Sequence, residues 1–204
     1  AVDSLDQIEG ISPGDITSSL KEIPSGATSA LDQIEVSDYS ASDLGEMVQE
    51  ISSGATQALG NIKIDGISSD NLSSMMEKVT AGATGALGQI SMEGYSSSNL
   101  TTMLSKITSG ATSALGDIEM EGYSSNNLSL MVEKITAGAT SALDEIQLEG
   151  FSSDNLSSMV QEITSGATGA LDEIEMEGFD PSTDVFSMTE KVILGTTGAL
   201  SEIE

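Results

Sequence analysis

Apolar side chains recur along this chain with the spacing of one face of an α-helix. In the stretch that begins near residue 152, the apolar positions are separated by alternating steps of four and three residues: Leu156, Val160, Ile163, Ala167, Ala170 and Ile174. This alternation is typical of an amphipathic helix with one buried stripe. The pattern predicts a helix of about 25 residues, or about 37 Å at 1.5 Å per residue.

Local signals mark both ends of this predicted helix. Ser152 is suited to the N-cap position, and Phe151 and Leu156 have the spacing of a hydrophobic staple. At the other end, Gly178 is followed by the aromatic residue Phe179. A glycine followed by an apolar residue is typical of a Schellman motif, in which the chain leaves the helix through a left-handed residue.

The whole pattern returns every 28 residues. The segment Gly-Ala-Thr begins at Gly26, Gly54, Gly82, Gly110, Gly138 and Gly166, and an altered copy, Gly-Thr-Thr, begins one residue late at Gly195. A fixed period of this length indicates a repeat architecture. We therefore predict an all-α fold of tandem 28-residue repeats that form an up-and-down helical array. Residues 1–10 would be a partial N-terminal repeat, and residues 11–204 would be seven tandem repeats in one elongated domain.

The middle of each unit leaves a second helical arrangement open. Small and polar residues surround Gly166, and Pro24 stands in the middle of the first unit, where proline kinks or breaks a helix. Each unit could therefore be one continuous or kinked helix, or two helices at about residues 153–163 and 168–177.

A third arrangement comes from a resemblance to a known family. The segment Leu143-x-x-Ile146-x-Leu148 resembles the LxxLxL strand segment of leucine-rich repeats, and a 28-residue period lies in that family's range. The resemblance implies an α/β leucine-rich-like solenoid as the alternative fold. Where that family has Asn or Cys after the last leucine, this chain has Phe151, Tyr123 or Tyr95.

Composition restricts the chemistry that the chain can perform. Its 33 acidic residues and 6 basic residues give a formal charge of −27, which repels nucleic acids and anionic lipid surfaces. The chain has no Cys and no His, so thiolate and imidazole chemistry are excluded. No apolar run is long enough to cross a membrane. We expect a protein that is not an enzyme, with no catalytic, cofactor-binding or metal-binding residue, no cofactor, no nucleic-acid partner and no membrane insertion.

Four repeated features are candidates for an interaction surface, and each also has a purely structural interpretation. The Gly-Ala-Thr segment (Gly166, Ala167, Thr168 and Ala170 in one unit) suits either a ligand surface or a close approach of two helices. The acidic turn at Glu173, Glu175 and Glu177 suits either Ca²⁺ or solvent. A methionine column suits either an adaptable groove or the core, and an aromatic column suits either glycan stacking or helix ends. These columns are Met47, Met75, Met103, Met131, Met159 and Met188, and Tyr39, Tyr95, Tyr123, Phe151 and Phe179.

These observations favour a non-enzymatic, acidic structural or surface protein: a stalk, a filament subunit or an adhesin segment, outside the cell or at its surface. The alternative is a repeat module that binds divalent cations such as Ca²⁺, or polymeric ligands, through its acidic turns. Neither end of the chain has an obvious polar capping repeat, and Leu200 and Ile203 would be exposed there. We therefore expect self-association into oligomers or filaments, and a protein or glycan partner is compatible with the repeated surface.

Overall fold

The structure is a computed structural model, and it describes residues 13–33, 39–61, 68–90, 96–118, 124–146, 152–174, 181–201 and 203. About 90% of these residues are helical and none of them is in a strand, which confirms the all-α repeat fold. The leucine-rich alternative is wrong for this part of the chain. Leu143 lies in a 3₁₀ turn, and Ile146 is buried at the end of that turn in a core between helices.

Eight α-helices are described, and most of them end in a short 3₁₀ turn. Their bounds are α1 Pro13–Leu20, α2 Glu22–Ser29, α3 Ala41–Gly60, α4 Ser69–Gly85, α5 Ser97–Ser113, α6 Ser125–Ser141, α7 Ser153–Gly169 and α8 Pro181–Leu200. The 3₁₀ turns are Ala30–Gln33, Ala86–Gln89, Ala114–Asp117, Ala142–Glu145 and Leu171–Glu173.

Each full unit forms one helix that continues through the Gly-Ala-Thr segment. Helix α7 runs unbroken from Ser153 to Gly169, so the alternative with two helices per unit is wrong there. The predicted length was too great, because the last turn tightens into the 3₁₀ segment Leu171–Glu173 and Ile174 is already extended, with φ −81° and ψ 108°. Each unit therefore contributes about 21 helical residues.

The first unit is interrupted, as its proline predicts. Helix α1 ends at Leu20 and α2 begins at Glu22, while Lys21 between them keeps helical dihedral angles. Pro24 lies in the first turn of α2, where the missing N–H of proline costs little. The result is a kinked helix, formed by α1 and α2, in place of one continuous rod.

Serine caps fix where the helices begin. At α7, the backbone N–H of Asn155 donates to Ser152 Oγ (3.4 Å), and the N–H of Ser152 donates to Asn155 Oδ1 (2.8 Å). This reciprocal pair is a capping box, with Asn at the position where Glu is common. The predicted N-cap at Ser152 is confirmed, whereas Phe151 and Gly178, which carry the staple and Schellman predictions, lie outside the described residues.

Each helix from α2 to α8 packs most extensively against the helix two places away in the chain, and α1 packs most extensively against α4. Helices α3, α5 and α7 form one layer, and α4, α6 and α8 form the other, with α1 and α2 beside α4. Within a layer the helices are parallel: residues near the start of one helix contact residues near the start of its neighbour, and residues near the two C-termini also meet. Gly45 of α3 faces Thr102 of α5, and Gln57 near the end of α3 binds Asp117.

Two hydrophobic cores lie between the layers. One joins the N-terminal halves of α4, α6 and α8 to the C-terminal halves of α3, α5 and α7, and it includes Met131, Leu115 and Leu171. The other joins the N-terminal halves of α3, α5 and α7 to the C-terminal halves of α4 and α6, and it includes Met103 and Leu143. Consecutive helices therefore run in opposite directions in opposite layers, and two 28-residue units make one structural repeat.

Candidate interaction surfaces

Two surfaces of each helix build a layer. We call the surface that contacts the helix two places later the forward surface, represented by Glu77 and Thr80 of α4. The surface that contacts the helix two places earlier is the backward surface, represented by Gly138 of α6. A β-carbon on Gly138 would overlap the backbone carbonyl oxygen of Glu77 and crowd Thr80 Oγ1. Only glycine allows the two backbones to come this close.

The same close approach recurs along both layers. Gly166 faces the carbonyl of Ser105 in the same way, and Gly195 faces that of Glu133. The corresponding carbonyls belong to Lys21 and Gln49 for the two earlier glycines, Gly82 and Gly110. For this segment the structural interpretation, a close approach of helices, is therefore confirmed.

Threonines complete the forward surface. Thr108, two residues before the Gly-Ala-Thr segment, is fully buried and donates to the carbonyls of Leu104, Ser105 and Ile163 at 3.1 to 3.2 Å. Five threonines of the segment itself are fully buried, but their hydroxyls find no hydrogen-bond partner: Thr28, Thr56, Thr84, Thr112 and Thr140. None of these five hydroxyls donates to the carbonyl four residues earlier, a bond that threonine commonly makes in helices.

The forward surface becomes exposed where a layer ends. Thr112 and Thr140, in helices that have a later neighbour in their layer, are fully buried, whereas Thr168 of α7 is only half-buried and Thr197 of α8 is exposed. The backward surface opens at the other end, where a β-carbon on Gly26 would meet nothing within 4 Å. The same is true of Gly54. In the part of the chain that the structure describes, the array thus presents open forward surfaces at one end and open backward surfaces at the other.

The forward surface of α8 differs in character from those inside the array. Phe186 and Ile193 stand at the positions that Ser129 and Thr136 occupy in α6, allowing for the one-residue shift of this unit. Ser129 and Thr136 are buried, while Phe186 is 76% exposed and Ile193 is 52% exposed. Leu194 is 49% exposed beside them. Large apolar residues therefore replace buried hydroxyls where no described helix covers them.

Ion pairs join the helices of one layer. Lys134 of α6 binds Glu77 of α4 at 2.8 Å, and Lys191 of α8 binds Glu133 of α6 at 2.6 Å. In both pairs the glutamate lies on a forward surface and the lysine on a backward surface. A third pair, Lys21 with Glu145, links the kinked first helix to the end of α6.

A polar groove lies between α5 and α7. Its volume is about 280 Å³, and it is lined by Ser97, Ser98, Thr101, Asn155, Ser158, Gln161 and Glu162. In α6 the positions of Ser158 and Glu162 are occupied by Leu130 and Lys134. Shorter side chains on α7 thus leave this space open in one layer.

The methionine column belongs to the core, as its structural interpretation predicts. Met75, Met103, Met131, Met159 and Met188 are fully buried, and Met47 packs beside the second core. Of the aromatic column, Tyr39 is 40% exposed, and Tyr95, Tyr123, Phe151 and Phe179 lie outside the described residues.

The acidic turn is described only in part. Glu173 is exposed, and Glu175 and Glu177 lie outside the described residues. Among the residues that the structure describes, no three acidic side chains come together as a metal site would need. In the same part of the chain, no helix is both long and apolar enough to cross a membrane.

The sequence matches no protein-family model, and no curated protein matches it significantly.

Proposed function

We propose that this chain is a non-enzymatic, acidic structural element, a stalk, filament subunit or adhesin segment that acts outside the cell or at its surface. Its mechanism is geometric. Each pair of units adds one helix to each layer, so the number of repeats sets a length and multiplies any surface that a unit displays.

The repeated glycine contact is the observation that supports this proposal most strongly. A glycine of each later helix meets a carbonyl of the helix two places earlier, from Gly82 to Gly195, even though the last unit is shifted by one residue. The sequence thus preserves the spacing between helices throughout the array. Such uniformity favours a spacer or scaffold over a catalytic site, which is built once from unlike parts.

Duplicating residues 68–123 tests the spacer mechanism. This change adds one helix to each layer, and we expect the maximum dimension in small-angle scattering to grow by about 8–10 Å, the usual distance between packed helices. A control carries the same duplication with Gly82→Val and Gly110→Val in the added copy, which blocks the close approach. An unchanged dimension in the glycine-containing duplication would contradict the proposal.

Calcium binding at the acidic turns separates this proposal from the alternative module. Under the structural proposal, Na⁺ and Ca²⁺ stabilise the fold equally at matched ionic strength, because both only screen the net charge of −27. Calorimetry that shows one Ca²⁺ bound per unit, with a rise in the melting temperature, would favour cation binding instead.

Self-association remains part of the proposal as a salt-dependent property. If copies stack end to end as the helices stack within a layer, α2 of one copy follows α7 of the other, and α3 follows α8. Glu50 of α3 would then face Glu190 of α8, whereas the contacts of α4 with α6 and of α6 with α8 pair lysine with glutamate. We therefore expect weak association at low ionic strength and stronger association when salt screens this repulsion.

A further inference from the structure

The forward surface of α8 continues an interface that the array has already built. Inside the layer, Glu77 receives Lys134 of the next helix, and Glu133 receives Lys191 of the helix after that. Glu190 is the next member of this glutamate series. It is exposed and has no ion pair with any described residue.

The apolar residues around Glu190 change what this surface can accept. Phe186 lies one turn before Glu190, and Ile193 and Leu194 lie one turn after it, so all four side chains share one face of the helix. The three apolar residues are about half exposed or more. A face of this kind combines a hot spot for apolar burial with one fixed negative charge.

The backward surfaces at the start of this chain carry the wrong charge for that face at low ionic strength. Four helices that have an earlier neighbour in their layer, α4, α5, α6 and α8, carry lysine four residues before the conserved glycine, at Lys78, Lys106, Lys134 and Lys191. The two open backward surfaces, on α2 and α3, carry Glu22 and Glu50 at this position instead. A second copy would therefore bring a carboxylate against Glu190, and like charges in an interface oppose binding.

We propose that the forward surface of α8 is a docking site for a lysine-bearing amphipathic helix of a partner protein. The partner helix lies alongside α8, as α8 lies alongside α6. Its lysine pairs with Glu190, and apolar residues one turn away cover Phe186, Ile193 and Leu194. Among the helices of this chain, α6 shows the required combination, since Leu130 precedes Lys134 by one turn.

A peptide from α6 is the probe. A synthetic, fluorescently labelled peptide of residues 124–142 is titrated with the full-length chain, and binding is followed by fluorescence anisotropy. We expect saturable binding of one peptide per chain. Glu190→Lys in the protein should weaken it about tenfold, Lys134→Glu in the peptide should do the same, and combining the two changes should restore it.

Controls separate this site from general attraction to an acidic protein. Asp172→Lys changes the net charge equally at an exposed residue of another helix and should leave binding unchanged. Phe186→Asp should weaken binding at least tenfold without altering the circular dichroism spectrum, because Phe186 is mostly exposed. Circular dichroism also establishes that the peptide is helical under the conditions used.

Three results would overturn the proposal. One is the absence of saturable binding by a helical peptide, and another is an equal loss of binding in Asp172→Lys and Glu190→Lys. The third is a dimer of the unmodified chain at low salt that Phe186→Asp abolishes, since the occupant of the surface would then be a second copy.

Discussion

The carbonyl oxygen of Glu77 lies where a β-carbon on Gly138 would have to stand. These two residues belong to helices that are not consecutive in the chain, and Lys134, one turn before Gly138, reaches back to the Glu77 side chain at 2.8 Å. A backbone contact and an ion pair thus fix the same register between α4 and α6.

This contact predicts opposite effects for one substitution at two equivalent glycines. Gly138→Ala should lower the free energy of unfolding, because overpacking costs about 1–3 kcal/mol and exceeds the gain in helix propensity. Gly26→Ala should raise it by up to about 1 kcal/mol, because its new methyl group meets nothing within 4 Å. Urea denaturation of both variants measures the difference. Equal stabilisation of the two variants would mean that α4 and α6 do not approach at Gly138.

Two threonines of α5 provide a second matched pair. Thr112→Val should raise the free energy of unfolding by about 1 kcal/mol, because it removes a buried hydroxyl that has no partner. Thr108→Val should lower it by about 1 kcal/mol, because Thr108 donates to carbonyls of α5 and α7. The same denaturation experiment distinguishes them, and a loss of stability in Thr112→Val would show that its hydroxyl is bonded.

The elements of this fold could be predicted from the sequence, while the partners of each helix could not. Alternating steps of four and three residues predict the helices, and serine caps such as Ser152 predict where they begin. A 28-residue period is equally compatible with neighbours one or two units away, because the apolar stripe has the same phase in every unit. Which of the two arrangements forms depends on the helix whose backbone Gly138 approaches. A motif that is the same in every unit does not identify that helix.

The candidate surfaces show the same limit. The small residues of the Gly-Ala-Thr segment predicted close packing, and the burial of Gly166 confirms it. The exposed face at Phe186 and Ile193 was missed, although the sequence contained a signal for it. These two residues interrupt a column of serines and threonines. The interruption indicates an exposed apolar face only after the structure has shown that this column lies on the forward surface.

The capping box of α3 predicts a specific dependence on pH. Asp43 accepts hydrogen bonds from the Ser40 hydroxyl (2.7 Å) and from the Ser40 N–H (2.8 Å), and both lower the pKa of this carboxyl below its usual value. Since the folded pKa is depressed, the stabilisation is present above the unfolded value of about 3.9 and is lost as pH falls through the folded pKa. The other described caps use Asn, as at Asn71, which does not titrate.

Asp43→Asn isolates this effect from the general charge of the protein. The difference in melting temperature between the wild type and the variant should be constant at neutral pH. It should move in favour of the variant as the solution is acidified below about pH 4. A difference that stays constant through this range would mean that Asp43 does not form the cap.

The charges at the two ends predict how copies of the chain associate. The wild type should sediment as a larger species at about 0.5 M salt than at low salt, because screening weakens the repulsion between Glu50 and Glu190. Glu50→Lys and Glu190→Lys should each promote association at low salt, since either creates a lysine–glutamate pair. The double variant Glu50→Lys/Glu190→Lys should behave like the wild type. Identical sedimentation of all four chains would exclude end-to-end contact of this geometry.

Cross-linking tests the central claim, that helices two places apart are neighbours, most directly. Ser29 binds Gln89 at 2.8 Å and Gln57 binds Asp117 at 2.7 Å, and the residues of each pair are 60 apart in the chain. The protein has no Cys, so paired Cys substitutions can be introduced at these exposed positions and treated with a short bis-maleimide. The account predicts efficient bridging of 29 with 89 and of 57 with 117, and none for the exchanged pairs, 57 with 89 and 29 with 117. Failure of 29 to bridge with 89 and of 57 to bridge with 117 would contradict it.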